Sequence, residues 1–187
     1  RVLLRKGKRI AVEDGQEVIL YTAADGSSRQ LPIPESVKST QDYDEGRVKH
    51  VKIALAAAMQ GSGAEAENGL AYLRALAHYQ EQAGATFLDI NVDEFSLKPS
   101  EQKAAMQWLV GAVQEMSKLP LSVDSSDVDV IRVGLEAYQD TGTRPMLNSA
   151  SLERLEALDF AIIHNAEVVV TAAGESASGV ALTIWCI

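Results

Sequence analysis

A repeated strand–helix unit is the feature of this sequence that most restricts its fold. Between residues 85 and 176, four apolar strand segments, ATFLDINV, LPLSVDSS, RPMLNSAS and AEVVVTAAGES, are separated by three helical segments. The last of these helices is predicted over LERLEALDFAIIHN, residues 152–165. Strands that alternate with helices in this way predict right-handed β-α-β crossovers and therefore a parallel sheet. The sequence thus predicts an α/β protein.

Each predicted strand ends in a cluster of polar residues. Strand by strand, these are Asp89, Asn91 and Asp93; Asp124, Ser125 and Ser126; Asn148, Ser149 and Ser151; and Thr171 with Glu175. In a parallel α/β barrel the carboxyl ends of all strands open on the same side, so we expect these groups to converge on one cleft. Asp124 is the most informative of them, because it closes a buried strand and comes too early to cap the next helix.

Local structure offers another explanation for some of these residues. Ser126 or Asp127 is equally well placed to cap the following helix, and Asp89 and Asn91 alternate with apolar residues as on any half-buried strand. His164, late in a predicted helix, suits a capping role better than catalysis. The sequence has no zinc-binding motif, no paired cysteines and no Gly-x-Ser-x-Gly, so neither a metal site nor a catalytic residue is predicted.

Charge and composition argue against several kinds of partner. The 187-residue chain has a formal net charge of -9, and its basic residues form no stripe beyond the N-terminal RVLLRKGKR, which disfavours nucleic acid and anionic membranes. No apolar run approaches the roughly 18 residues of a membrane helix. The single cysteine, Cys186, cannot form an intramolecular disulfide. A reducing cytoplasm is the predicted location.

The first 46 residues differ in character from the rest. Loose alternation around the Asp-Gly of EDGQ predicts a hairpin of two short strands, and the Gly-, Ser-, Pro- and acid-rich segment that follows predicts a loop or linker. We therefore divide the chain into an N-terminal β extension with a linker, residues 1–46, and an α/β domain, residues 47–187, which opens with helices predicted near 48–59 and 66–82. The initial Arg1 and the apolar ending VALTIWCI predict that the chain is part of a longer polypeptide.

The segments LDINV, AAMQWLVGAVQEMSKLPLSVDSSDVDVIRVGLEA and RPMLNSAS, in that order, resemble the pterin-binding methyltransferase family. Its members include methyltetrahydrofolate:corrinoid methyltransferases and the folate domain of cobalamin-dependent methionine synthase, and the dihydropteroate synthases are more distant relatives. The resemblance covers roughly residues 48–176. It implies a dihydropteroate synthase-like TIM (β/α)8 barrel. A complete barrel of eight units typically has about 250 residues, and the α/β domain has about 140, so we expect only about the N-terminal half of the barrel here.

The resemblance also assigns a binding site. Asp124 and Asn148 match family positions that hydrogen-bond the edge of the pterin, and Asp89 and Asn91 match an Asp-x-Asn strand beside them. Further candidates are Ser126 and Ser149. A fixed carboxylate and a carboxamide suit the amino-pyrimidinone edge of a pterin, which carries several hydrogen-bond donors.

The activity implied by the resemblance is methyl transfer between N5 of methyltetrahydrofolate and the cobalt of a corrinoid (cobalamin) carried by a partner protein, in a homodimeric enzyme of one-carbon metabolism. DEFSLKPS stands where a dihydropteroate synthase would carry a Ser-Thr-Arg-Pro-like loop, which favours the methyltransferase branch. Two alternatives stay open. One is an enzyme of dihydropteroate synthase type, and the other is a non-catalytic scaffold subunit or fragment, since EVILYTAADGSSRQL replaces the family's Gly-Glu-Arg-Ile-Asn strand.

Overall fold

The computed structural model describes residues 3–5, 8–171 and 183–185, and the chain divides into two compact units, residues 1–79 and 80–187. The division predicted after residue 46 stays a prediction. Glu175 and Cys186, both named in the sequence analysis, lie outside the described residues. No helix in the described part of the chain has the length and apolarity needed to cross a bilayer.

The first unit opens with an antiparallel sheet of four strands in the order β1-β2-β3-β4. These strands are β1 (Leu3–Arg5), β2 (Lys8–Glu13), β3 (Gln16–Thr22) and β4 (Ser28–Pro32). Asp14 and Gly15 form the predicted turn between β2 and β3, with φ angles of 50° and 81°. Positive φ at both positions is what a type I′ hairpin turn requires.

The segment predicted as a loop or linker proves to be largely structured. β4 pairs with β3 through residues whose polar composition had indicated a loop, and Leu31 and Ile33 anchor it in the core with at most 1% exposure. Two single-turn helices follow, α1 (Glu35–Lys38) and α2 (Gln41–Asp44). The prediction was wrong here because β4 is an edge strand, which pairs through its backbone and tolerates polar side chains.

Two longer helices come next, α3 (His50–Gln60) and α4 (Ala64–Gln82), close to their predicted bounds. Tyr72 of α4 is buried, and its hydroxyl lies 3.0 Å from Nδ1 of His50 in α3. Burial raises the pKa of Tyr72 far above its usual range, so this phenol stays neutral. The contact joins the two helices within the first unit.

The second unit contains the strand–helix repeat. Its elements are β5 (Leu88–Asn91), α5 (Pro99–Met116), β6 (Leu121–Asp124), α6 (Val128–Ala137), β7 (Met146–Ala150), α7 (Glu156–Ile163), β8 (Glu167–Thr171) and β9 (Thr183–Trp185). Strands β5 to β8 are parallel and lie in chain order, while β9 pairs antiparallel with β8. The predicted α/β fold with a parallel sheet is confirmed; within the described residues the sheet does not close into a barrel.

The helices cover one face of this sheet. Gly134 of α6 permits close packing, because a Cβ at that position would lie 2.6 Å from Cγ1 of Val123 in β6 and 2.9 Å from Cγ of Met106 in α5. Val123 and its neighbour Leu147 are fully buried. Since alternate residues of a strand face opposite sides of the sheet, Asp124 lies on the face turned away from the helices.

Candidate functional site

Asn91, Asp124 and Asn148 form a row across the carboxyl ends of β5, β6 and β7. Asn91 is paired in register with Asp124, and Asp124 is paired in turn with Asn148. Paired positions of a parallel sheet carry their side chains on the same face. The structure therefore brings three of the residues singled out in the sequence into one polar row.

Asn91 orients the carboxylate of Asp124. Its Nδ2 donates to Oδ2 of Asp124 over 2.9 Å, and its Oδ1 accepts from the backbone N–H of Asp93 over 2.8 Å. With both ends of the carboxamide engaged, its orientation is fixed. Asp124 is half-buried, and its Oδ1 accepts no hydrogen bond from residues 3–5, 8–171 or 183–185, so this oxygen is an available acceptor.

Asp89 lies one row below, paired in register with Ser122. Oδ1 of Asp89 accepts from the hydroxyl of Ser122 over 2.6 Å and from Nδ2 of Asn148 over 3.3 Å. Asp89 thereby connects β5 to both β6 and β7. Ser122 was not among the predicted site residues, although its position two residues before Asp124 in LPLSVDSS places it on the same face of the strand.

The surroundings of Asp124 disfavour ionisation of its carboxyl group. Burial raises the pKa of Asp124, and the carboxylates of Asp89 and Asp93 raise it further, against the opposing effects of the Asn91 hydrogen bond and the Arg154 cation. The net pKa lies above the usual range. A carboxyl group perturbed by burial and like charge at the end of a strand is typical of binding and catalytic sites.

Asp93 binds the loop that follows Asp124. Its Oδ1 accepts from the hydroxyl of Ser125 over 2.5 Å, and its Oδ2 accepts from the backbone N–H of Ser126 over 2.9 Å. Burial raises the pKa of Asp93, but the hydrogen bonds from these two serines, together with that of Asn91, outweigh it and hold the pKa below its usual value. Asp93 is therefore a stable carboxylate beside the perturbed Asp124.

Arg154 approaches the same loop from β7. Its guanidinium donates to the carbonyl oxygens of Ser125 and Ser126, over 3.0 and 3.4 Å, and to the hydroxyl of Ser149 over 2.9 Å. The helix predicted over residues 152–165 would include Arg154, but α7 begins only at Glu156. No local pattern indicates this role, because the contacts of Arg154 with the loop join residues 28 and 29 positions apart along the chain.

The remaining candidates have the following contacts. Ser126 is exposed and contributes its backbone groups, while Ser149 is buried against the guanidinium of Arg154. Asp127 is the N-cap of α6 and accepts from the N–H of Asp129 over 2.8 Å. Local capping therefore accounts for Asp127 and not for Asp124.

Two further polar residues of the sequence analysis stand apart from the two rows. His164 is the C-cap residue of α7, and its backbone N–H donates to the carbonyl oxygen of Phe160 over 3.0 Å; a capping role for its imidazole stays a prediction. Thr171, at the end of β8, donates its hydroxyl proton to the carbonyl oxygen of Ala150 over 3.3 Å.

A cavity of about 310 Å³ lies at the opposite end of the strands. It is lined by the loops that precede β7 and β8, and includes Tyr138, Arg144 and His164. Arg144 is paired with Glu167 over 2.8 Å. Ligands of parallel α/β sheets bind at the carboxyl ends of the strands, so the chemistry of the polar rows, and not this cavity, identifies the candidate site.

A known protein family matches the part of the chain that contains these rows. Residues 60–181 match the family described as "Pterin binding enzyme". The matched segment is more than half of the chain and includes every residue of both polar rows, together with Asp93 and Arg154. The chain belongs to the pterin binding enzyme family.

Proposed function

We propose that this chain binds the pterin ring of methyltetrahydrofolate and serves methyl transfer between N5 of that folate and the cobalt of a corrinoid. Membership of the pterin binding enzyme family supports the pterin. The single observation that carries the site is the in-register row of Asn91, Asp124 and Asn148. The sequence resemblance to corrinoid-linked enzymes supports the methyl transfer.

The row offers the hydrogen-bonding groups that a pterin edge needs. The amino-pyrimidinone edge presents neighbouring N–H donors, and an ionised carboxylate accepts such donors well. We assign Asp124 as the main anchor, because its Oδ1 is available and ligand donors would offset the burial and repulsion that raise its pKa. Asn148 is the second anchor. Asn91 orients Asp124, and Asp89 orients Asn148 through the 3.3 Å contact.

The topology supports the proposal of a partial TIM barrel. In doubly wound sheets the strand order reverses and helices cover both faces. Here β5 to β8 follow one another in chain order, with consecutive helices packed on one face, as in part of a (β/α)8 barrel. Active sites of such barrels lie at the carboxyl ends of the strands, where the polar rows are found.

The reaction places a defined demand on the protein. An amine anion is a poor leaving group, so N5 of the folate must gain a proton or a strong hydrogen bond as the methyl group departs. The corrinoid, carried by a partner protein, supplies the cobalt that exchanges the methyl group. The residues of this chain hold and orient the pterin. We expect a cytoplasmic homodimer, and we assign no residue of this chain to proton transfer at N5.

Isothermal titration with methyltetrahydrofolate tests the proposal. We expect the wild-type chain to bind, Asp124→Ala to weaken binding, and Asp159→Ala, which removes an exposed carboxylate from α7, to leave binding unchanged. Equal affinity for wild type and Asp124→Ala would remove Asp124 from the site.

Activity assays separate the two alternatives. Condensation of an aminobenzoate with a dihydropterin whose methylene group carries a pyrophosphate, with release of that pyrophosphate and without methyl transfer to a corrinoid, would assign the chain to the dihydropteroate synthase type. Failure to bind either pterin, by a chain whose thermal unfolding is cooperative, would favour the non-catalytic scaffold.

A further inference from the structure

The loop that follows Asp124 is held from two opposite sides. Asp93, after β5, accepts the donors of this loop, namely the hydroxyl of Ser125 and the N–H of Ser126. Arg154, after β7, donates to the acceptors of the same two residues, their backbone carbonyl oxygens. The Asp93 carboxylate therefore binds the hydrogen-bond donors of this short loop, and the Arg154 guanidinium binds its acceptors.

The loop has further bonds to its surroundings. The N–H of Ser125 donates to the carbonyl oxygen of Asn148 over 3.3 Å, and the hydroxyl of Ser125 accepts from the N–H of Asp127 over 3.1 Å. Ser125 is only 2% exposed. The loop is therefore bonded to the ends of β5 and β7 and to the start of α6, and it leaves β6 immediately after the carboxylate of Asp124.

We infer that Asp93 and Arg154 are a pair of positioning residues, which hold this loop between the ends of β5 and β7 and so orient Asp124 toward a bound pterin. The inference rests on the proposed function for the identity of the ligand. It assigns to both residues an effect on binding that acts through Asp124. Neither residue is required to touch the ligand.

Arg154 also acts on the charge of Asp124. The charged groups that influence Asp124 are Asp89 and Asp93 on the β5 side and Arg154 on the β7 side. Removing the guanidinium leaves two carboxylates beside a half-buried third. Because the ionised form of Asp124 binds the pterin donors, protonation of Asp124 at low pH weakens the affinity for the pterin. Removal of the Arg154 cation raises the pKa of Asp124, so the affinity then begins to fall at a higher pH.

The test compares four variants by titration with methyltetrahydrofolate across a pH series. We expect Arg154→Met to weaken binding about tenfold or more and to shift the acid limb of the affinity profile to higher pH. Arg154→Lys keeps the charge without the planar set of donors, so the acid limb stays in place while affinity at neutral pH falls. Asp93→Asn weakens binding, because one of its carboxylate acceptors becomes an amide donor facing the loop donors. The matched control Arg132→Met removes a cation from the exposed Asp129 and Glu136 pairs of α6 and leaves both readouts unchanged.

Amide hydrogen exchange at Ser126 and Asp127, measured without ligand, gives a second readout. We expect faster exchange in Arg154→Met and Asp93→Asn than in wild type and the control. If the wild type binds and Arg154→Met has the same affinity and pH profile, the positioning role is wrong while the proposed function stands. Absence of binding by the wild type would instead overturn the proposed function, and the positioning of a pterin anchor with it. Unchanged exchange in both variants would overturn the claim that they hold the loop.

Discussion

Oδ2 of Asp124 lies 2.9 Å from Nδ2 of Asn91, at paired register positions of β6 and β5. This contact engages one oxygen of the carboxylate, and the other accepts no hydrogen bond within the described part of the chain. The hydrogen bond from Asn91 therefore holds one oxygen of Asp124 in place before any ligand arrives. A preoriented acceptor loses little conformational entropy on binding.

Asp124→Ala tests the anchor. Loss of a charge-assisted hydrogen bond should cost roughly 1.5 to 3 kcal/mol of binding free energy, or about ten- to a hundredfold in the dissociation constant for methyltetrahydrofolate. Isothermal titration measures it, and circular dichroism checks that the variant is folded. Asp127→Ala is the informative contrast: loss of the α6 N-cap should reduce the free energy of unfolding by about 0.5 to 2 kcal/mol with little change in affinity. A reversed pattern would make Asp124 the structural residue of the two.

Asp124→Asn should stabilise the free protein at neutral pH while weakening ligand binding. Burial and the neighbouring carboxylates raise the pKa of Asp124 above its ordinary value of 3.8. Its contribution to stability is then complete below 3.8 and is lost as the pH rises through the higher, folded-state pKa. The side chain of the Asp124→Asn variant cannot ionise, so the variant does not lose this stability as the pH rises. Urea unfolding should show a variant more stable than wild type at neutral pH, with the advantage vanishing in acid; an Asn variant less stable at neutral pH contradicts the assignment.

Asp93→Asn should have the opposite pH dependence. Burial raises the pKa of Asp93, but hydrogen bonds with Ser125, Ser126 and Asn91 together outweigh it and lower the pKa below 3.8. The resulting stability is present above 3.8 and is lost as the pH falls through the lower, folded-state pKa. The variant should therefore unfold at lower urea concentration than wild type at neutral pH, and the two curves should approach each other in acid. A constant difference at all pH values would exclude the carboxylate charge as the cause.

The positions of Asp124 and Asn148 were predictable because strand periodicity and strand ends are local properties of a sequence. Arg154 was not, because its environment depends on where α7 begins. The apolar residues of LERLEALDFAIIHN indicated a helix from Leu152, whereas 151–154 form a turn in which the N–H of Arg154 donates to the carbonyl oxygen of Ser151 over 3.0 Å. The partners of Arg154 lie up to 29 residues away along the chain, so no local pattern indicates them.

The N-terminal sheet shows a related limit. The Asp-Gly of EDGQ predicted one hairpin, and that hairpin is present. ADGSS contains a second Asp-Gly, where Gly26 has a φ of 82° and the N–H of Ala23 donates to the carbonyl oxygen of Ser27 over 2.8 Å. That signal was outweighed by the polar composition of the following residues. Edge strands such as β4 satisfy backbone groups on one side only, so their composition resembles that of a loop.

The packing of α6 against β6 yields a prediction independent of any ligand. Gly134→Ala would place a methyl group 2.6 Å from Cγ1 of Val123 and 2.9 Å from Cγ of Met106, and overpacking of this kind costs typically about 1 to 3 kcal/mol. Gly111→Ala, in the interior of α5, meets no atom within 4 Å and should stabilise the protein by up to about 1 kcal/mol, because alanine is the better helix former. Both variants make the same chemical change in a helix of the same unit, so their difference in free energy of unfolding isolates the contact with the sheet. Equal effects in urea unfolding would mean that α6 does not pack on the strand that carries Asp124, and the orientation of that residue away from the helices would have to be abandoned.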